Sequence, residues 1–168
     1  MSGRRALQFS DDASTMREVF ADFEVSTYGG ENHLDLAAID RPDASYTMVI
    51  ANHVLEHVAD DGKALRELAR IAGPEGVIFL SVPDLLRVEK TIEYGRARED
   101  KHGHYRLYGP DLMERVSRHA PTLSRLGLIP TDPVTGEPDR ATLLCAHAGT
   151  LARAKDLLHE AGIQSFDA

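Results

Sequence analysis

Residues 46–83, YTMVIANHVLEHVADDGKALRELARIAGPEGVIFLSVP, decide the fold. Tyr46–Ala51 is an apolar run of strand length, followed by Asn52-His53 and a Glu56-His57 pair. From about Asp60 to Ala72, the residues Ala64, Leu65, Leu68, Ile71 and Ala72 recur at helical spacing and predict one amphipathic helix. Gly73-Pro74 ends it, and Val77–Val82 is almost wholly apolar, as a parallel strand covered on both faces should be. Strand, helix and strand in this order predict a crossover between two parallel neighbours.

Outward from that core, Arg4–Phe9 reads as a short strand with Ser10, Asp11 and Asp12 as stop and helix cap. Met16, Val19, Phe20 and Phe23 stand at i, i+3, i+4 and i+7 and predict a helix stripe. Glu24–Tyr28, closed by Gly29-Gly30, reads as a second strand, and Leu34–Ile39 as a third. Residues 84–109 are mixed in charge and show no period, and a helix is predicted around Asp111–Ala120. Four prolines and two glycines make residues 121–140 a loop with at most one short strand. Thr142–Ala148 completes the strands and Thr150–Ala161 the helices, with Gly162 past the last helical turn. The alternation predicts a single α/β domain over residues 1–168, with a mostly parallel sheet flanked by helices.

At 168 residues one core is expected. The formal charge of −8 argues against a nucleic-acid partner, which needs a basic face. Cys145 is the one cysteine, so no internal disulfide forms, and its apolar setting ATLLCAHA predicts a core residue. No apolar run reaches the roughly 20 residues of a membrane span. The opening MSGRRALQFSDD lacks a secretory pattern, which leaves the cytoplasm as the expected compartment.

The segment 46–83 resembles the centre of class I S-adenosylmethionine-dependent methyltransferases, where strand four, its helix and strand five run in this order. His102-Gly103-His104-Tyr105-Arg106-Leu107-Tyr108-Gly109 is similar to an HxHxRxYG stretch found after strand five in a subset of that family. The resemblance implies a Rossmann-like domain, here shortened in its N-terminal half. It implies S-adenosylmethionine as cofactor and a small-molecule or peptide-like acceptor as partner, with a homodimer or partner protein also allowed. In the family the loop after strand one grips the cofactor's methionine part at a glycine-rich motif. This chain has Phe9, Ser10 and Asp11 there, with no glycine between Gly3 and Gly29. Acids after strands two and three take the ribose and adenine. Gly29, with Gly30 and Glu31 after it, and Asp40 stand at those places, and Asn52 and His53 at the end of strand four. Thr47 stands where relatives often carry Asp.

Glu56-His57 admits two readings. His57 can accept a proton from an acceptor hydroxyl, or the pair can cap and orient the next helix. His102, His104, Arg106 and Tyr108 can likewise shape an acceptor pocket, with His104 as a second base. They can equally fold over the sheet edge with Arg106 paired to Asp84 or Glu56. His53, Glu56 and His57 also spell the HxxEH of certain zinc hydrolases, which needs both histidines on one helix. The resemblance assigns no metal, and His53 and His57 are expected to point apart. A glycine-poor first loop suits a further alternative, a non-catalytic methyltransferase-like scaffold that binds a partner.

Overall fold

The computed structural model describes residues 3–11, 17–83, 85–129, 142–161, 163 and 165–167. Asp12, Met16, Asp84 and Gly162, named above, lie outside them, as do residues 130–141, which include most of the expected loop 121–140. The described residues form nine strands: β1 Arg5–Phe9, β2 Asp22–Ser26, β3 Met48–Asn52, β4 Val77–Ser81, β5 Ile92–Arg98, β6 His104–Leu107, β7 Ser124–Leu128, β8 Thr142–Ala146 and β9 Ser165–Asp167. Three α-helices join them: α1 Asp61–Ala72, α2 Leu112–His119 and α3 Ala148–Glu160. The main sheet runs β2-β1-β3-β4-β8-β7-β9, and β5-β6 form a separate hairpin. β2, β1, β3 and β4 are mutually parallel, whereas β8 is antiparallel to β4 and β7.

The expected crossover is present. β3 pairs with β4 in parallel, Val49 opposite Ile78 and Ala51 opposite Leu80, with α1 between them in sequence. Asp60 caps α1 by accepting the Lys63 N–H at 2.8 Å. Its face Ala64, Leu65, Leu68, Ile71 and Ala72 is buried with Val49, Ala51, Ile78 and Leu80. Each leucine so buried contributes on the order of 1.5–3 kcal/mol. Gly73 closes the helix at φ 62°, and a Cβ there would meet the Ala44 Cβ at 2.5 Å, so both conformation and space select glycine. Along β8, Leu143 and Cys145 join the α1 side of the sheet, while Leu144 and Ala146 join Leu126, Leu128 and Leu151 on the α3 side. Burial pushes the Cys145 thiol up to about 12, in keeping with a core residue.

Two expectations fail, and one stretch without a reading takes a definite form. Arg17–Val19 is a single 3-10 turn, and Phe23 lies in β2. Five parallel pairs with β1 claim residues 22–26, so the local stripe yields to sheet pairing. Leu34–Ile39 is no strand but a turn, in which Asp35 accepts the Ala37 N–H through its side chain and the Ala38 N–H through its carbonyl. Its buried residues, Leu36 and Ile39, are three apart, a spacing that suits a turn and not a pleat. The aperiodic stretch 84–109 holds the β5-β6 hairpin, whose alternation is blurred because most of β5 is exposed on both faces. Within residues 121–140, β7 is the one short strand seen among the described residues.

Where a third strand was expected, a polar knot ties β2 to β3. Arg41 and Asn32 donate to Glu24 at 3.0 Å each, and the Tyr46 hydroxyl also bonds Glu24. Burial alone would raise the Glu24 pKa, but these hydrogen bonds outweigh it and hold the group down to about 2. A carboxyl depressed in this way stabilises the fold above its unfolded pKa near 4.5, and the gain is lost as pH falls toward 2. Allowing for partial solvent access, roughly 1–2 kcal/mol is at stake. Urea titrations at stepped pH should therefore show the wild type losing stability below about pH 4.5 more steeply than Glu24→Gln. Parallel slopes would refute this role of the knot.

Candidate functional site

In an open parallel sheet, ligands sit beyond the carboxyl ends of the strands, where the strand order reverses direction. That point lies between β1 and β3, because the chain leaves β1 toward β2 on one side and β3 toward β4 on the other. Two non-glycine residues in left-handed conformation mark it, Ser10 at φ 70° and His53 at φ 51°. Ser10 donates its N–H to the Ser26 carbonyl at 2.9 Å, and His53 donates to the Ser81 carbonyl at 3.1 Å. The two strand ends are thus drawn apart toward their outer neighbours. The buried Gln8 amide donates to the Ser10 carbonyl at 2.7 Å and fixes the turn from below. Asn52 is half-buried at the tip of β3 and accepts the Ser81 hydroxyl at 3.0 Å. Phe9 is buried, Ser10 and Asp11 are exposed, and the Asp11 carboxylate is paired with Arg17. Gly29, at φ 71° past the end of β2, has open space around it.

Asp40 is not at this edge. Without a third strand to carry it there, the chain returns along the second half of α1. Ile39 donates to Glu67 at 2.9 Å, and Arg70 donates to the carbonyls of Ile39 and Arg41. Two hollows of about 410 and 490 Å³ also open away from the carboxyl edge, around Gly73-Pro74 at the end of α1.

Beyond His53 the chain forms a 3-10 turn, Leu55–His57, that buries Leu55 and Glu56. No helix carries both His53 and His57, so the geometry of the HxxEH hydrolases is not met. Glu56 is 1% exposed, and neither carboxylate oxygen has a hydrogen-bond partner among the described residues. His53 Nδ1 stands 3.8 Å from Oε1, beyond hydrogen-bond range. Burial pushes Glu56 up to about 7. The hairpin adds His104, whose ring packs edge-on against His57 at 4.6 Å between centroids, and His102 lies 6.0 Å from His104. Burial, then the neighbouring imidazoles, lower the pKa of both His57 and His104. One ligand atom from each of Glu56, His57 and His104 falls within 4.8 Å of the others.

Arg106 and Tyr108 are not in an acceptor pocket. Arg106, 4% exposed, donates to the carbonyls of Val58 at 2.6 Å and Ala59 at 2.8 Å and to Glu93 at 3.1 Å. The Tyr108 hydroxyl donates to Asp61 at 3.0 Å, and Arg115 bridges Asp61 and Glu93 at 2.8 and 2.6 Å. This network pins the hairpin and α2 to the start of α1. Asp61, Glu93 and Arg115 escaped the sequence reading because isolated charges in mixed-charge segments read as solvated surface.

The family described as a methyltransferase domain matches residues 11–120. A search of curated proteins finds no match. Among solved structures, the fold is similar to the trans-methyltransferase CalH in complex with SAH, at 16% identity and TM-score 0.53, covering 87% of this chain and 52% of that one. The methyltransferase candidate BH2331 of Bacillus halodurans is similar at 12% identity and TM-score 0.52, covering 85% and 91%. The CurJ carbon methyltransferase is similar at 13% identity and TM-score 0.50, covering 87% and 48%. The chain therefore spans about half of CalH and of CurJ and most of BH2331.

Removing Arg106 would take the donor from the Val58 and Ala59 carbonyls and the ion pair at 3.7 Å from the buried Asp61, which keeps Tyr108 and Arg115. Arg106→Ala should cost about 3–5 kcal/mol in chemical denaturation, as breaking a buried pair does. Arg106→Lys should recover only part, since an ammonium lacks the planar fork. A loss below about 1 kcal/mol in Arg106→Ala would show that the network is not a structural anchor.

Proposed function

We propose that this chain, which belongs to the methyltransferase domain family, uses S-adenosylmethionine to methylate a small-molecule or peptide-like acceptor. The observation that carries this reading is the divided carboxyl edge between β1 and β3, with its left-handed turns at Ser10 and His53. Ser10 holds the backbone conformation for which glycine is usually chosen, so a loop without glycine still turns sharply at the first strand's end. The residues fit the methionine end of the cofactor: Phe9, Ser10 and Asp11 on one side, Asn52 and His53 on the other. Gly29 stands where the ribose would lie. The adenine end lacks the partner that Asp40 was expected to supply.

When bound, the cofactor supplies an electrophilic methyl group that needs an aligned nucleophile more than chemical activation. The chain's part is to orient and to take a proton. His57 and His104 stand on the same edge as Asn52, one on the turn and one on the hairpin. Their lowered pKa keeps them neutral near pH 7, the state in which a ring nitrogen accepts a proton from an acceptor hydroxyl. His102, exposed beside them, is placed to meet the acceptor. The position of Asp40 favours a second reading, a scaffold of the same fold that has lost the cofactor and binds a partner protein.

Titration calorimetry with S-adenosylmethionine and its demethylated product separates the two. One-site binding is expected, weakened by roughly 1–2 kcal/mol in Asn52→Ala and unchanged in Asp40→Ala. Absence of binding by the folded chain would leave the scaffold reading.

A further inference from the structure

We infer that Glu56, His57 and His104 form a site for one divalent transition-metal ion of the zinc class. Two imidazole nitrogens and one carboxylate oxygen are a donor set that suits zinc, cobalt or nickel better than magnesium or calcium. The three donor atoms lie within 4.8 Å of one another. Zinc ligands in a tetrahedral site stand about 3.4 Å apart, so small side-chain rotations close the site.

A second observation points the same way. A carboxyl taken out of water keeps its charge only where it is paired or bound to a metal. Glu56 is held at 1% exposure, neither oxygen has a hydrogen-bond partner among the described residues, and the basic groups beside it there are the imidazoles of His53, His57 and His104. Arg106 passes close by in sequence to His104, yet it is engaged with Val58, Ala59 and Glu93. A cation that fits the gap satisfies Glu56 and accepts the two ring nitrogens together. The site is also mounted stiffly: Glu56 and His57 come from one turn, and His104 comes from a strand that the Arg106 network fixes against that turn. His53, 3.8 Å from Glu56, is a candidate for the fourth position, and an oxygen-bearing ligand is another. With an ion bound, His57 and His104 act as ligands and not as proton acceptors, so metal content decides between those roles. The inference does not depend on the cofactor reading, because an ion can bind whether or not S-adenosylmethionine does.

The test uses the full chain, stripped with a chelator and dialysed. One equivalent of Zn²⁺ should bind and raise the melting temperature, and one equivalent of Co²⁺ should give visible ligand-field bands of a tetrahedral or five-coordinate site. Changing groups that merely support a metal's ligands already costs about 10–100-fold in affinity. His57→Ala and His104→Ala should therefore each weaken binding at least about 100-fold, while His33→Ala, remote from the cluster, binds as the wild type does. His104→Asn is a second variant should the alanine disturb the hairpin, with circular dichroism checking the fold. No stoichiometric binding by the wild type, or wild-type affinity in folded His57 and His104 variants, would overturn the assignment.

Discussion

The guanidinium of Arg106 fixes the geometry on which the candidate site depends. Its planar fork donates to two successive carbonyls, Val58 and Ala59, just before α1, and to Glu93 across the hairpin. Asp61 then gathers Tyr108 and Arg115. In a strand, residues two apart share a face. Pinning Arg106 of β6 therefore turns His104 toward the 3-10 turn that carries Glu56 and His57. Without that lock a two-stranded hairpin, marginal on its own in water, would have little reason to keep one orientation. The buried charges are thus worth more as a positional device than as a source of net stability.

The opposite flank of the sheet is economical. Twelve residues, 10–21, take the chain from β1 to β2, and among the described residues no further strand flanks β2. The Glu24–Arg41–Tyr46 knot occupies the place that such a strand would cover. This shortening carries Asp40 to the side of α1, away from the place that the methyltransferase pattern implies for it. The family membership and the divided β1–β3 edge nevertheless keep the place where the methionine end of the cofactor would sit.

What the sequence made legible followed the strength of its periodicity. The strand, helix and strand of 46–83 could be read because burial of α1 on one side and of β3 and β4 on both leaves a strong apolar signal. The turn at Leu34–Ile39 could not, since a short apolar run is ambiguous until pairing decides it. The β5-β6 hairpin was hidden because its faces are mostly polar. His57 and His104 were legible as candidates, being rare side chains beside a strand end. What holds them together was not, because it depends on Arg106, Asp61, Glu93 and Arg115, which come from four separate elements. Between the two readings of Arg106 and Tyr108 the sequence could not choose for the same reason: burial, invisible in a single sequence, makes them anchors.

We propose that the divided carboxyl edge between β1 and β3 holds the cofactor. Backbone amide spectra of the isotopically labelled chain, recorded during titration with S-adenosylhomocysteine, test it directly. Saturable shifts should cluster at Ser10, Asp11, Asn52 and His53, with Asp43, Ala44 and Gly73 at the far edge unmoved. Shifts confined to Asp43, Ala44 and Gly73, or no saturable shift at all, would contradict the account.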